Sequence, residues 1–302
     1  MNKYIYIALI AVLGLSSCED QISLDLQPGP AQLVIDAVIN DQPEEQVVRL
    51  TLSAPYFDNV PTPSVSDAEV KVTDSDGKEF VFTDEDKDGN YTWQPTDADE
   101  VIGVLGKEYS LSVTYKGDEF IASSKVNRVP PIDSLTYEYR EAEGFRVEGV
   151  YASLWAVDPI GTGDTYWIRT YRNDTLLNRP ADINTAYDGG FSAGANSDGI
   201  PFILPIREGI NPFYADEDDE LLSPYQEGDK IRVELLSVTN DVVFFLQQAQ
   251  AQLQNGGLFA TPLENISSNI QNADTSSETE ALGYFIMCSE VSAEVVVGPE
   301  EE

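Results

Sequence analysis

Carboxylates in short runs are the residues of this chain that could do chemistry, because carboxylate oxygens bind divalent cations. One run places Asp84, Asp86 and Asp88 at alternate positions ahead of Gly89, which matches the first half of an EF-hand calcium loop. The twelfth position of such a loop needs a bidentate glutamate, whereas this chain has Pro95 there. A hairpin with a glycine turn explains the run fully, and Ca²⁺ binding is the alternative.

A second run, residues 216–220, consists of five consecutive acidic residues. Because neighbouring carboxylates repel one another, we expect the run either to remain solvated or to share a cation through Asp216 and Asp218. Two carboxylates that face each other in a cleft could also hydrolyse a glycosidic bond. Nothing in the sequence places two of them in one cleft, so a hydrolase ranks last among the functions that these residues allow.

The sequence excludes several common kinds of catalytic site. The chain has no histidine, which excludes Ser-His-Asp and Cys-His catalysis and histidine-ligated zinc. Cys288 ends the apolar run at residues 284–288, and we expect its thiol to be a buried, small hydrophobic group. We therefore expect that the protein is not an enzyme.

The remaining cysteine, Cys18, ends a segment with the composition of a secretory signal peptide. A positive charge precedes the apolar run at residues 4–15, which is too short to span ~30 Å of hydrocarbon. The leucine, serine, serine and cysteine at residues 15–18 resemble the bacterial lipobox. That resemblance implies a signal peptide at residues 1–17 and a diacylglycerol on Cys18, so that residues 18–30 form an acylated tether.

Two acidic residues, Glu19 and Asp20, follow this cysteine directly. They resemble the surface-export signal of Bacteroidota lipoproteins, which implies a location on the outer face of the outer membrane. Acylation of Cys18 leaves Cys288 without a partner, and no intrachain disulfide is expected.

The charge balance excludes one class of partner. Lysine and arginine total 17 against 53 acidic residues, and the net charge is −36 at pH 7. Such a surface repels the phosphates of nucleic acids, so no nucleic-acid partner is expected. It also repels anionic lipid, which leaves the lipid anchor as the link to a membrane, and it favours cationic partners and divalent metals.

The elements that must position these groups are mainly strands. Between residues 31 and 129 the apolar residues recur at every second position, as in Val48, Leu50 and Leu52, and turn signals such as Gly77 separate the runs. This alternation indicates strands with one buried face. Short strands over about this length predict an immunoglobulin-like β-sandwich.

Two prolines, Pro130 and Pro131, mark a boundary after this sandwich. Residues 133–299 are predicted to form a second β-rich domain with long loops and one amphipathic helix at about 241–255. Asp241 is the predicted N-cap of that helix. The predicted fold class is therefore mainly β, an immunoglobulin-like β-sandwich followed by a β-rich domain with one amphipathic helix.

An irregular stretch at residues 178–225 contains many glycines, prolines and aromatic residues. Aromatic rings on loops can stack on sugars or pack against a partner protein, and they can equally fold inward as a local core. Both interpretations are open for the six candidate binding residues of this stretch: Tyr187, Phe191, Phe202, Phe213, Tyr214 and Tyr225.

Several segments together resemble a known family. They are Cys18-Glu19-Asp20 with residues 22–26, residues 52–57, residues 65–72, residues 130–135, Glu227-Gly228-Asp229 and residues 282–285. In order and spacing they are similar to the Bacteroidota lipoprotein family filed as domain of unknown function 4249, over nearly the whole mature chain. The resemblance implies a TonB-dependent outer-membrane receptor as the partner, and it implies no catalytic residues.

We therefore expect a lipid-anchored accessory protein of the outer-membrane surface that acts with a TonB-dependent transporter. It would bind substrate or the transporter without catalysing a reaction, and the sequence does not identify the ligand. The alternative is a structural or adhesive surface module in which the acidic loops hold Ca²⁺.

Overall fold

The computed structural model describes residues 29–55, 60–144, 146–194, 196–215, 220–255 and 266–299. Predictions for Cys18, Glu19, Asp20, Asp216 and Asp218 therefore lie outside the described residues. The described residues at 31–54 and from 60 onward belong to one compact unit.

The alternating segments of the N-terminal region form strands, as predicted. In β1 the side chains of Leu33, Ile35, Ala37 and Ile39 are buried, whereas Asp36 between them is exposed. The strands of this region are β1 (Leu33–Ile39), β2 (Gln46–Leu52), β3 (Glu69–Asp74), β4 (Glu79–Phe82), β5 (Asn90–Trp93), β6 (Glu108–Tyr115) and β7 (Asp118–Lys125).

The C-terminal region is also mainly β and contains the predicted helix. Its strands are β8 (Ile132–Arg140), β9 (Gly149–Ala156), β10 (Thr165–Arg172), β11 (Thr175–Leu176), β12 (Asn184–Tyr187), β13 (Tyr214–Ala215), β14 (Leu221–Leu222), β15 (Lys230–Ser237), β16 (Gln271–Asn272), β17 (Ala281–Met287) and β18 (Glu290–Val296). Its helices are a short α1 (Leu204–Glu208), α2 (Asn240–Leu253) and a 3₁₀ turn at Pro180–Asp182.

Two sheets face each other across one core and form the N-terminal β-sandwich. One sheet has the strand order β17-β1-β2-β5, and the other has the order β16-β7-β6-β3-β4. The shared core contains Leu50 and Phe285 from the first sheet and Val72, Leu111 and Phe120 from the second. The fold class is thus mainly β with an immunoglobulin-like sandwich.

The sandwich also takes two strands from the far end of the chain. β17 pairs in parallel with β1, and β16 pairs with β7. The sequence assigns both segments to the domain at residues 133–299, whereas the structure uses them to complete the N-terminal sheets. The linker at residues 129–133 therefore does not separate the strands of the two regions completely.

The second region has its own core. β10, β15 and β18 form a sheet that also includes β11 and β12, and the two-stranded ribbon β8–β9 is a separate sheet. Ala152 and Leu154 of the ribbon share a core with Ile168 and Val233 of the larger sheet. Ile206 of α1 is buried in the same core.

Helix α2 contributes to a third core between the two regions. Val242 and Leu246 share this core with Leu236 of β15 and Ile286 of β17. Cys288 is buried there, and burial raises the pKa of its thiol. Within the described residues, no helix is long and apolar enough to cross a membrane.

The start of α2 differs from the prediction. The N-cap is Thr239, without a side-chain capping bond, and Asp241 lies in the first turn. Asp241 is not the cap because its carboxylate accepts a hydrogen bond from the hydroxyl of Tyr284 on β17. The side chain of Asp241, a residue type that often caps helices, is thus hydrogen-bonded to Tyr284 instead.

Candidate functional site

Several hydrogen bonds join residues 157–164 to residues 187–194 and 196–200, which together we call the loop cluster. The amide of Gly199 donates to Asp158 at 3.0 Å, and the amide of Gly161 donates to Asp198 at 2.7 Å. The amide of Gly189 donates to the carbonyl of Ser197 at 2.9 Å. The first two bonds tie the connection between β9 and β10 to the long loop that follows β12, and the third holds that long loop together internally.

Three carboxylates meet inside the loop cluster. One oxygen each from Asp158, Asp164 and Asp188 lies within 4.8 Å of the others, and Asp158 and Asp188 are buried. Within the described ranges, no other group of three or more acidic or cysteine side chains is this close. The hydroxyl of Tyr166 donates to Asp158 at 2.7 Å, and the amide of Gly163 donates to Asp188 at 2.8 Å.

One cation partly compensates these charges. Arg128 donates from Nε to both oxygens of Asp164 at 3.0 Å, and its Nη2 is also paired with that carboxylate. Burial raises the pKa of the Asp158 carboxyl, and the neighbouring charges of Asp164 and Asp188 raise it further, against the hydrogen bonds from Tyr166 and Gly199. With all three carboxylates ionised, the group carries two more negative than positive charges.

Oxygen donors converging in this way are the ligand type that Ca²⁺ takes. No residue spacing predicts this group, because Asp188 belongs to a different loop from Asp158 and Asp164. The available signal was local: Asp158 precedes Pro159, Asp164 follows Gly163 and Asp188 precedes Gly189. A glycine or proline beside an aspartate indicates a loop. It does not indicate which loops contact each other in the fold.

The first predicted metal run forms a turn. Asp84 accepts hydrogen bonds from the amides of Asp88 and Gly89 at 3.2 and 3.0 Å, and Asp88 accepts from the amide and side chain of Asn90. The bonds from Asn90 lower the pKa of the Asp88 carboxyl. Asp84 and Asp88 thus stabilise the turn between β4 and β5, which lie in different sheets and share one isolated bridge, while Asp86 is exposed.

Two of the predicted binding aromatics are core residues. Phe202 and Tyr225 are each 1% exposed, and Phe202 packs against Tyr166 with ring centroids 5.3 Å apart. Both face inward because the loops that carry them cover the β8–β9 ribbon and its core. Tyr187 is partly buried against the core around α2.

The other three predicted aromatics are at least partly accessible. Phe191 is 52% exposed in the loop cluster, and Phe213 is 64% exposed beside β13. Tyr214 is half-buried, with the guanidinium of Arg179 at 4.3 Å from its ring centroid. The structure therefore does not gather the six aromatics into one surface.

The loop cluster presents further apolar side chains to solvent. Ile160 is 85% exposed and Val157 is 44% exposed, in addition to Phe191. Large apolar side chains on loops held by internal hydrogen bonds are typical of surfaces that bind another molecule. Of these three residues, only Phe191 was among the binding residues predicted from the sequence.

Comparisons with known proteins give a family. The family model described as Domain of unknown function (DUF4249) matches residues 19–294. No curated protein matches the sequence of the chain. One solved structure, the two fibronectin type-III domain segment from chicken tenascin, is 12% identical and the match covers 70% of this chain and 91% of that chain, with a TM-score of 0.19. A TM-score this low supports no inference.

Proposed function

The chain belongs to the family described as Domain of unknown function (DUF4249), and on that premise we propose that it is a lipid-anchored accessory protein of the outer-membrane surface. In this proposal it acts with a TonB-dependent transporter and binds substrate or the transporter without catalysing a reaction. The family match begins at residue 19, directly after Cys18. This position agrees with a mature domain that starts at an acylated cysteine.

The observation that carries the binding role is the apolar surface of the loop cluster. Ile160 and Phe191 are exposed on loops that the carboxylates of Asp158 and Asp188 hold through backbone amides. Loops fixed in this way lose little conformational entropy on association, which favours their use as a docking surface. The exposed side chains are hydrophobic, so their burial against a partner would stabilise a complex.

Purification of the protein from native outer membranes tests this proposal. We expect a TonB-dependent barrel to co-purify with the native chain and to be recovered in reduced amount with Ile160→Glu. Leu253→Glu is the matched control, because Leu253 is 68% exposed at the end of α2, and it should retain the barrel. Recovery of the native chain free of any barrel would count against a transporter as partner.

A second measurement separates binding from folding. The thermal unfolding temperatures of the Ile160→Glu and Leu253→Glu variants should both stay close to that of the native chain, because both side chains are exposed. Loss of the barrel in both variants to the same degree would mean that the loop cluster is not the docking surface.

A further inference from the structure

A groove of about 940 Å³ lies where β4, at the edge of one sheet of the sandwich, meets β5, at the edge of the other. Thr83 and Thr92 exchange both backbone hydrogen bonds at 2.8 and 3.0 Å. Among the described residues, the ladder between these two strands consists of this bridge alone. The groove opens where the ladder stops.

The open part of the ladder leaves backbone groups without strand partners. Backbone groups alternate in direction along a strand, so the next pair of residues that could bond in the same way lies two residues beyond the Thr83–Thr92 bridge. These residues are Val81 and Gln94. Both line the groove, and β4 has its ladder only with β3 on its other side. Unpaired edges of this kind are templates for an added strand.

The side chains that line the groove are aromatic, aliphatic, polar and acidic. Phe80 and Trp93 are in edge-to-face contact, with ring centroids 5.5 Å apart, and the exposed Val81 lies beside them. The groove lining contains no lysine or arginine. It contains five carboxylates, those of Glu45, Glu79, Glu85, Asp86 and Asp88. One of them, Glu79, has an ion pair with Lys71 at 3.5 Å.

We propose that this groove binds an extended, lysine- or arginine-rich peptide segment of a partner protein, which adds as a strand between β4 and β5. The backbone of Val81 and Gln94 supplies hydrogen bonds, and the carboxylates that line the groove select basic side chains. A second copy of this chain is a poor occupant because its net charge is also −36. The inference goes beyond the proposed function, since it depends on neither the anchor nor the transporter.

The test is a binding titration of the full-length protein in detergent with a fluorescent eight-residue peptide of alternating lysine and valine. We expect saturable binding and slowed amide hydrogen exchange in β4 and β5. The double variant Glu85→Gln with Asp86→Asn should bind roughly tenfold more weakly. A matched control, Glu278→Gln with Glu280→Gln, removes two charges near β16 at the opposite edge of the same sheet and should bind as the native chain does.

A second pair of variants tests the strand. Val81→Pro keeps every charge and removes the amide that faces the groove, so it should weaken binding roughly fivefold, whereas Val81→Thr keeps that amide and should bind normally. Equal binding by the proline variant would overturn strand addition. Equal binding by the Glu85/Asp86 variant, or displacement of the peptide by spermine at equal charge concentration, would overturn selection of a basic peptide strand.

Discussion

Gly283 of β17 lies directly opposite Ile35 of β1, and its backbone approaches the carbonyl of Ile35 so closely that a β-carbon at residue 283 would overlap that oxygen. Gly283 also has a φ of +99°, a backbone angle that residues other than glycine adopt only at a cost in free energy. The parallel pairing of the C-terminal strand with the first strand therefore depends on this glycine.

We predict that Gly283→Ala destabilises the fold by at least about 2 kcal/mol, because left-handed strain and steric overlap act together. Gly77→Ala is the matched control: Gly77 has a φ of +86° and open space around its β-position, so it should cost about 1 kcal/mol from strain alone. Urea unfolding of both variants measures the difference. Equal decreases in the free energy of unfolding of the two variants would contradict the idea that the close approach to Ile35 requires glycine.

The carboxylate group in the loop cluster leads to a pH-dependent prediction. The pKa of Asp158 is raised in the folded protein by burial and by Asp164 and Asp188. An acid with a raised folded pKa destabilises the fold above that pKa, and the cost vanishes below its unfolded value of 3.8. The stability of Asp158→Asn relative to the native chain should therefore be greater at pH 7 than near pH 4, because the amide carries no charge, whereas its loss of one acceptor oxygen for Tyr166 or Gly199 acts at both pH values.

Asp198→Asn is the control for this experiment. It removes one charge from the same loops outside the three-carboxylate group, and we expect a change within about 0.5 kcal/mol. The scan should be run with EDTA and with Ca²⁺. If Asp158→Asn instead lost stability only in the presence of Ca²⁺, the prediction would fail and the group would be a calcium site.

The contact between α2 and β17 gives a third prediction. The hydroxyl of Tyr284 donates to Asp241, and the Tyr284 ring packs on Phe245 with centroids 4.6 Å apart. Tyr284→Phe keeps the ring and removes a hydrogen bond to a carboxylate, so it should cost about 1–2 kcal/mol. In a double-mutant cycle with Asp241→Ala, which removes the acceptor, the two losses should be less than additive. Strict additivity would mean that the bond contributes nothing to stability.

The predicted anchor can be tested independently of the fold. In cells given a labelled fatty acid, we expect label on the native chain, none on Cys18→Ser, and a mature protein whose first residue is Cys18. Cys288→Ala is the control for the other cysteine and should retain the label, because Cys288 is buried. Label retained by Cys18→Ser would place the lipid elsewhere.

Local patterns predicted the secondary structure well. The alternation in residues such as Val48 and Leu50 depends only on which face of a strand is buried, and it correctly identified strands such as β2. It did not identify β16 or assign β17 to the sandwich. The helix near residue 241 was also predicted, because one-face apolar spacing is local. The N-cap residue, Thr239, was not predicted, and the side chain of Asp241 is hydrogen-bonded to Tyr284 on a distant strand.

The candidate sites depended on contacts between distant segments. Asp164 directly precedes β10 and Asp188 directly follows β12, so the pairing of these two strands brings their carboxylates together, whereas Asp158 reaches them from the loop after β9. The acidic run at residues 84–89 was visible, but the groove beside it exists only because the ladder between β4 and β5 ends after one bridge. The end of a strand ladder and a contact between two loops leave no periodic pattern in the sequence.

The sequence by itself determined the charge, the absence of histidine, the strand pattern and the lipobox-like segment ending at Cys18. The tertiary structure alone decided that β17 completes the first sheet, that Phe202 and Tyr225 are core residues, and that three aspartates meet. The physical reason is that burial of one strand face is encoded residue by residue. The partner of each strand or loop, in contrast, is selected by packing among segments far apart in the chain.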